Sequence, residues 1–275
     1  MTATLTDGTV MLVDIDKIHE YFDKTKIKIR KINYNTAKFF VEKYHYTHKF
    51  SLCKISYGIF YITDIKIPFF DVKDEKLIGC IVFGQPVGRS AAESISDIIK
   101  IDEVLELTRL VCLDGDNYGK NLESYCIAQS LRLLRKDIPH IKAIISYSDC
   151  EQGHKGTIYQ ASGFYYQGNS ALALMPNFSI SLVGPPHKWM HSRTAFATFG
   201  SHNIEHLKKR IGYTFWRKKE ATKHRYVYLL GNKIEKRKIL SNLKHPFLPY
   251  PKNTSFIEEI EEIGVNSQTE NRFFG

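Results

Sequence analysis

The chain has 275 residues and a mass of 31.8 kDa, enough for one large domain or a domain with an appendage. A hydrophobic content of 43%, with 17 Phe and 16 Tyr, excludes a disordered chain, and the net charge of +10 suggests a polyanionic partner. No apolar stretch approaches the roughly 18–20 residues of a membrane span, and residues 1–13 do not resemble a signal peptide. Five cysteines without a C-x-x-C pair suit a reducing compartment, so we expect a soluble cytoplasmic protein.

The first half of the chain consists mainly of predicted strands, after a short lead-in over residues 1–24. Alternating or continuous apolar residues predict strands over Lys26–Ile32, Tyr57–Ile67, Lys76–Gly84 and Glu103–Leu113. Between the first two strands, Asn35 is expected to cap a helix. The apolar face of that helix is predicted to contain Ala37, Phe40, Val41 and Tyr44.

Helices and strands alternate in the middle of the chain. A helix is predicted from about Leu122 to just before Pro139, with Cys126, Ile127, Leu131 and Leu134 on its apolar side. The predicted elements that follow are a strand over Ile141–Ser148, a short helix over His154–Ser162 and a strand over Phe164–Gln167. This order is typical of an α/β fold.

The positive charge lies almost entirely in one part of the chain. Residues 1–186 contain 22 Lys and Arg against 21 Asp and Glu, residues 187–252 contain 16 against 3, and residues 253–275 contain 1 against 5. Two basic helices are predicted in this part, one from Asn203 to Gly212 and one over Lys233–Leu243. The basic segment suggests binding of a polyanion, although a solvated helical surface would have the same composition.

The junction over Thr108–Ser124 is the first candidate site. It joins a strand to a helix through a loop that contains glycine, so unpaired backbone N–H groups at the helix start can bind phosphate. It lacks both the P-loop and the dinucleotide-binding glycine patterns. An ordinary strand–helix turn is the alternative interpretation.

One strand later, Tyr159–Phe164 reads Y-x-x-x-G-F, and together with the junction it resembles the GCN5-related N-acetyltransferases. The resemblance implies a mixed central sheet flanked by helices, with acetyl-coenzyme A as cofactor. It assigns cofactor binding to Leu110, Cys112, Gly119, Lys120, Asn121 and Ser124. It also makes Tyr159 a candidate general acid, although a tyrosine packed in the core is equally compatible with the pattern. The family's loop motif begins here with the acidic Asp116 and ends in Asn121 rather than Gly or Ala.

A narrower resemblance covers most of the chain. The sequence is similar to the Mom DNA-modification proteins of bacteriophages in the blocks Tyr44–His48, Glu106–Leu110, Lys120–Ser124, Ser146–Asp149, Gly153–Ala161, His191–Arg193 and Lys223–Tyr226. This resemblance implies an enzyme that converts adenine in double-stranded DNA to N6-(methylcarbamoyl)adenine and protects phage DNA from restriction.

Several polar residues in these blocks can perform acid–base chemistry. Asp149 follows a predicted strand at the sheet edge where ligands bind, and we favour it with His48 as an acid/base pair. On a helical turn, His45 and His48 would lie on one side, and with Asp149 they would form a 2-His-1-carboxylate iron site. The alternative roles are a helix cap for Asp149 and a helix-end residue for one histidine.

Three further residues complete the candidate catalytic set. Arg109, in an apolar strand with Glu106, would either form an internal ion pair or orient the substrate. Ser124 would contact the thioester or a phosphate, unless it only begins the helix. Tyr46 could stack on a base, because modification of adenine N6 within a duplex requires the nucleotide to be extruded.

The predicted phosphate contacts lie in the basic part of the chain. They are Arg193, Lys223 and Arg225, followed by Lys208, Lys209 and Arg210. We therefore expect a lead-in over residues 1–24, an acetyltransferase-like catalytic domain over 25–200, and a basic, helical, DNA-facing extension with an acidic tail over 201–275. The alternatives are an ordinary N-acetyltransferase acting on protein, tRNA or a small amine, and a non-catalytic DNA-binding protein, which the altered Asp116/Asn121 loop would suit.

Overall fold

The computed structural model describes residues 2–4, 10–12, 22–67, 70–87, 89–113, 121–151, 153–169, 177–252 and 258–264. Its strands are β1 Thr2–Thr4, β2 Val10–Leu12, β3 Ile27–Ile32, β4 Ile55–Ile67, β5 Phe70–Gly84, β6 Val104–Cys112, β7 Ala143–Asp149, β8 Tyr165–Asn169, β9 Phe178–Ser181, β10 Phe215–Lys219, β11 Lys223–Leu229 and β12 Ile260–Ile263. Its α-helices are α1 Tyr34–Tyr44, α2 Arg89–Glu93, α3 Leu122–Asp137, α4 Thr157–Ala161, α5 Ser192–Phe199, α6 Ile204–Ile211 and α7 Lys233–Ser241. No helix in these ranges has the length and apolar character to cross a membrane.

A mixed sheet forms the centre of the fold. Within the described residues, seven strands pair in the order β3-β4-β5-β6-β7-β11-β8. The pairs β3–β4, β4–β5 and β5–β6 are antiparallel, whereas the pair β6–β7 is parallel. The predicted fold class, a mixed central sheet flanked by helices, is confirmed.

Helices cover both faces of this sheet because its strands are apolar on both sides. Helix α3 packs its buried side on the face that contains Ile81 and Phe83 of β5. Helix α1 packs on Cys80 and Val82, which point to the opposite face because side chains alternate along a strand. The predicted apolar side of α3 is confirmed: Leu122, Cys126, Ile127, Leu131 and Leu134 are all buried.

The start of α1 differs from the prediction. Asn33, not Asn35, caps the helix, and its Oδ1 accepts the Thr36 N–H at 2.8 Å. Ala37, Phe40 and Val41 are buried as predicted, whereas Tyr44 is exposed at the last turn.

The described residues form two compact units that do not follow the predicted boundary after residue 200. The first unit contains residues 1–148, 156–168 and 225–250, and the second contains 149–155, 169–224 and 251–275. The basic segment is therefore not a separate helical extension, since β11 lies between β7 and β8 in the main sheet. Tyr226 and Val227 of β11 point into different core clusters on either side of that sheet.

The second unit has a small core of its own. Strands β12, β10 and β9 form an antiparallel sheet among the described residues. Ile180 and Phe215 of this sheet pack against Ala195 of α5 and Leu207 of α6. The predicted bounds of α6 are confirmed: Asn203 caps the helix through the His206 N–H, and Gly212 ends it in the left-handed conformation.

Candidate active site

The central sheet opens beside β6. Among the described residues, the parallel pairing with β7 covers only Val104–Glu106 and Ala143–Ile145, although β6 continues to Cys112. The Leu113 N–H bonds to Ile78 O of β5 at 2.7 Å. Because backbone groups alternate in direction along a strand, Leu110 and Cys112 direct their N–H and C=O groups toward the β7 side. An extended ligand can pair with this edge of β6.

The start of α3 lies at the end of the same junction. Asn121 has the left-handed conformation (φ 67°) and its side chain makes no capping hydrogen bond within the described residues. The Ser124 hydroxyl donates to Asn121 O at 3.1 Å, which is the behaviour of a helix-start residue. Since no capping side chain is found among the described residues, the N–H groups of this first turn could bind an anion. Gly119 and Lys120 lie outside the described residues.

Tyr159, in α4, places a buried phenol beside the open strands. Its ring packs on Phe164 and Tyr226, with ring centroids 5.4 Å away in both cases. Burial raises the pKa of Tyr159, while a hydrogen bond with Ser146 opposes the shift. The phenol therefore keeps its proton at neutral pH and can donate it. Tyr159 is therefore a core residue with a polar tip, and its role as a general acid stays a prediction.

The two histidines after α1 do not lie on a helical turn as predicted. The helix ends at Tyr44, His45 is extended, and His48 has a positive φ of 48°. Backbone hydrogen bonding closes a turn instead, because the His48 N–H donates to His45 O at 2.8 Å. The polar side chains of this turn provide local acceptors that compete with helix continuation.

The hydrogen bonds of the two imidazoles indicate opposite tautomers. His45 Nδ1 accepts the Thr47 N–H at 3.1 Å, so the proton of the neutral ring is on Nε2. His48 Nδ1 lies 3.0 Å from Glu42 O, which can only accept, so His48 carries its proton on Nδ1. His45 is therefore a donor through Nε2–H, and His48 has a basic Nε2. This difference between the two histidines could not be predicted from the sequence.

His45 is expected to make the protein sensitive to acid. Burial lowers the pKa of His45 to about 4, and the charges of Arg109 and His48 act in the same direction. Between about pH 6.5 and pH 4 the unfolded chain binds a proton that the folded chain does not, so the free energy of unfolding falls as the pH falls. His45→Gln should remove part of this dependence in chemical denaturation at about pH 7 and pH 4.5. The same loss of stability in both proteins would contradict this assignment.

Arg109 joins the histidine turn to β6. Its Nε donates to Lys49 O at 2.9 Å and its Nη1 donates to Thr108 O at 2.6 Å. Burial lowers the pKa of Arg109, and the charges of Tyr46 and Glu106 oppose that shift. The charge of Glu106 also raises the pKa of Tyr159. Arg109, Tyr46, Glu106 and Tyr159 thus belong to one polar cluster in the first unit.

Asp149 lies in the second unit, at the end of β7, with two partners. Its Oδ1 accepts the Glu151 N–H at 3.0 Å, and its Oδ2 lies 3.5 Å from Lys223 Nζ. Glu151 is itself paired at 2.9 Å with Lys218, which also binds Glu258 at 2.8 Å. The carboxylate is thus both a turn cap and a charged group beside a lysine.

The sequence model of the Mom protein family matches residues 26–252. The chain belongs to the Mom family. A curated relative, the methylcarbamoylase Mom of Escherichia phage Mu, is 24% identical over 238 residues, covering 84% of this chain and 86% of the relative.

Solved acetyltransferase structures resemble this Mom-family chain weakly. The spermidine/spermine N-acetyltransferase of Vibrio cholerae is 10% identical and covers 77% of this chain and 97% of its own, with a TM-score of 0.39. An acetyltransferase of the GNAT family from Bacillus anthracis is 13% identical and covers 76% of this chain and 98% of its own, with a TM-score of 0.36. The family assignment rests on the sequence match, and these low TM-scores add nothing to it.

The iron site considered from the sequence finds no support in the geometry. Within the ranges that the structure describes, no three side chains of His, Cys, Asp or Glu are grouped so that they could hold a metal ion. His45 Nδ1 is also occupied by hydrogen bonds from Thr47, as described above.

The predicted phosphate contacts divide into exposed and buried residues. Arg193 of α5 and Lys209 and Arg210 of α6 are exposed. Lys208 pairs with Glu205 at 3.0 Å, and the exposed Lys223 pairs with Asp149. Arg225 is only 5% exposed, so its prediction as a phosphate contact is corrected: the guanidinium lies beneath the α2 segment. Alternation in β11 points this side chain inward, which charge alone could not indicate.

Sequence reasoning also missed Glu220, which organises the start of α5. Its Oε1 accepts the Ser179 hydroxyl at 2.8 Å and the Ser192 N–H at 2.7 Å. Its Oε2 accepts the Ser192 hydroxyl at 3.0 Å and lies 3.3 Å from His191 Nε2. An acidic residue between lysines in a strongly basic segment was the available signal. Glu220 fixes the helix end from which Arg193 projects.

Proposed function

We propose that this chain is a transferase that converts adenine in double-stranded DNA to N6-(methylcarbamoyl)adenine and uses acetyl-coenzyme A as the donor of two carbon atoms. Because acetyl-coenzyme A supplies no nitrogen and its acetyl group is more reduced than the added unit, the reaction also requires a nitrogen donor and a two-electron oxidant as further reactants. Its biological role would be to protect phage DNA from restriction. The family membership and the methylcarbamoylase relative support this reaction. The structural observation that carries the proposal is the edge of β6 that is unpaired among the described residues. It lies in the same unit as two buried proton donors, Tyr159 and His45, and as His48, whose Nε2 can act as a base.

The described residues fit the proposed cofactor. The N–H and C=O groups of Leu110 and Cys112 on the open side of β6 suit an extended amide chain, which would pair with them as a strand does. The uncapped start of α3 at Asn121 suits a pyrophosphate. Gly119 and Lys120 are proposed for the same anion. When bound, acetyl-coenzyme A supplies an acyl group activated as a thioester.

The candidate catalytic side chains are of two kinds, proton donors and proton acceptors. Tyr159 Oη holds a proton that it can donate, and His45 Nε2 is a neutral donor. His48 Nε2 can accept a proton from the exocyclic amine, and Asp149 of the second unit is proposed as a further acid/base residue. Arg109 fixes the histidine turn against β6 through the Lys49 carbonyl.

Recognition of DNA is assigned to both units. Tyr46 is 59% exposed and stacks on His45 with ring centroids 4.4 Å apart, so its outer face is available to an extruded adenine. Arg193, Lys209 and Arg210 are proposed to bind backbone phosphates, which gives affinity without sequence readout.

Nucleoside mass spectrometry tests the proposal. DNA from cells that express the protein should contain adenine with one added methylcarbamoyl group, and purified protein supplemented with an extract of host cells should transfer isotope from labelled acetyl-coenzyme A to duplex DNA. Unmodified DNA together with acetylated protein or tRNA would identify an ordinary N-acetyltransferase instead. Salt-sensitive DNA binding without any modified product would identify a non-catalytic DNA-binding protein.

A further inference from the structure

The loop between α1 and β4 presents a large apolar side chain to solvent. Leu52 is 61% exposed, and the exposed Lys49 and Lys54 lie on either side of it in the chain. A single exposed leucine is common on protein surfaces and by itself indicates nothing. The anchoring of this loop and its position in the fold distinguish Leu52 from the other exposed apolar residues.

The backbone on both sides of Leu52 is fixed. Arg109 Nε donates to Lys49 O at 2.9 Å, and the Lys54 N–H donates to Phe83 O at 2.7 Å. Gly84 makes the tightest contact, because a Cβ at that position would overlap the Leu52 carbonyl oxygen. Leu52 therefore projects from a loop held against β5 and β6.

This loop lies beside the opening between β6 and β7. Gly84, on which the Leu52 backbone rests, pairs across the β5–β6 ladder with Glu106. Glu106 is also the last residue of β6 that pairs with β7 among the described residues. Val87, which is 52% exposed, places its N–H 3.4 Å from Glu106 Oε2. Two exposed apolar residues, Leu52 and Val87, thus lie on segments that contact Gly84 and Glu106 beside this opening.

We propose that Leu52 enters the base stack of duplex DNA and fills the space left by the extruded adenine. The inference rests on the proposed function, because only an enzyme that acts on a paired base must open the duplex. Extrusion breaks stacking and pairing at a cost of about a few kcal/mol, and an apolar side chain inserted at the gap offsets part of it. Lys49 and Lys54 contact the phosphates on either side of the inserted side chain.

The charge pattern of the loop fits this occupant. A leucine between two lysines suits a duplex, whose surface has negative phosphates on both sides of the apolar base stack. The fixed backbone also contributes, because a side chain already held in position loses little conformational entropy on insertion.

Two substrates test the role of Leu52. In one duplex the target adenine is paired with thymine, and in the other the same adenine faces an abasic site, so that it is already unpaired. Leu52→Ala is expected to lower modification of the paired adenine about tenfold or more and to leave the unpaired adenine within about twofold of wild type. Leu52→Met should restore most of the activity, since it restores apolar length. The matched control is Ile234→Ala on α7, an apolar residue 65% exposed, which should change neither rate.

Base opening is measured separately by the fluorescence of 2-aminopurine placed at the target position. Wild-type protein should raise the fluorescence, and Leu52→Ala should raise it less. Equal loss of activity on both substrates, or no loss on either, would overturn the proposed insertion. If the wild-type protein opens the duplex through Leu52 but makes no adduct, the insertion stands and the proposed reaction fails.

Discussion

Asp149→Asn is expected to reduce formation of modified adenine by about 100-fold or more, the range of a lost general acid or base. Asparagine keeps an oxygen that can accept the Glu151 N–H, which Asp149 binds at 3.0 Å, but it cannot take up a proton at neutral pH. The rate is measured as modified nucleoside per adenine by mass spectrometry, and DNA binding is measured in parallel. Affinity for DNA should stay within about threefold of wild type, since the change removes a negative charge.

Two further variants separate catalysis from turn capping at Asp149. Asp149→Ala removes both the charge and the acceptor for Glu151, so it tests the cap together with the chemistry. Asp97→Asn is the matched control, because Asp97 is an exposed carboxylate that pairs with Lys244 at 3.2 Å. If Asp149→Asn were fully active while Asp149→Ala was inactive, Asp149 would be a cap and not an acid or base.

Arg225→Met is expected to lower the free energy of unfolding by about 3 kcal/mol. The buried guanidinium donates to the Ser94 hydroxyl at 2.6 Å and to Ala91 O at 2.8 Å, and it fixes the segment after α2 against the sheet. Methionine fills much of the same volume but removes both guanidinium hydrogen bonds, so that Ala91 O keeps only the Ser94 hydroxyl, which donates to it at 3.0 Å. Chemical denaturation at neutral pH measures the change.

Arg193→Met is the matched control for Arg225, since Arg193 is exposed and its loss removes no buried hydrogen bond. It should leave stability within about 0.5 kcal/mol. It should also reduce the dependence of log K for DNA on log salt by about 0.9, the value for one phosphate contact. A stable Arg225→Met variant with a flattened salt dependence would restore the sequence-based assignment of Arg225 to DNA.

The local elements of the fold were largely predictable from the sequence. The apolar positions of α3 repeat at helical spacing, and the same residues are buried. Asn203 and Gly212 signal the ends of α6 through interactions within a few residues of each helix end. Where two local signals competed, the predicted helix start was wrong by two residues: Asn33 and Asn35 are both cap-forming residue types, and Asn33 is the one that caps the helix.

The residues of the candidate site could be selected from the sequence more readily than their roles could be assigned, and both remain predictions. The histidine turn, Arg109 and Tyr159 could be singled out because each is a polar residue in or beside an apolar element. Their protonation could not be predicted, because the tautomers of His45 and His48 depend on the neighbouring Thr47 N–H and Glu42 carbonyl. The carboxylate of Glu220 was missed because its partners Ser179 and Ser192 are far from it in the chain.

The sequence alone determined the α/β class, the course of most strands and helices, the Mom-family resemblance and the concentration of charge in the last third of the chain. These properties depend on residue type and on spacings of a few residues, because helices, strands and caps are formed by interactions between residues close in the chain. Only the tertiary structure decided that β11 inserts between β7 and β8, that Arg225 lies inside, and that, in the part of the chain the structure describes, β6 does not pair with β7 beyond Glu106. Each of these features depends on which distant segment of the chain packs or pairs with the strand in question. The free energy that favours one pairing over another comes from contacts throughout the core and not from any single position.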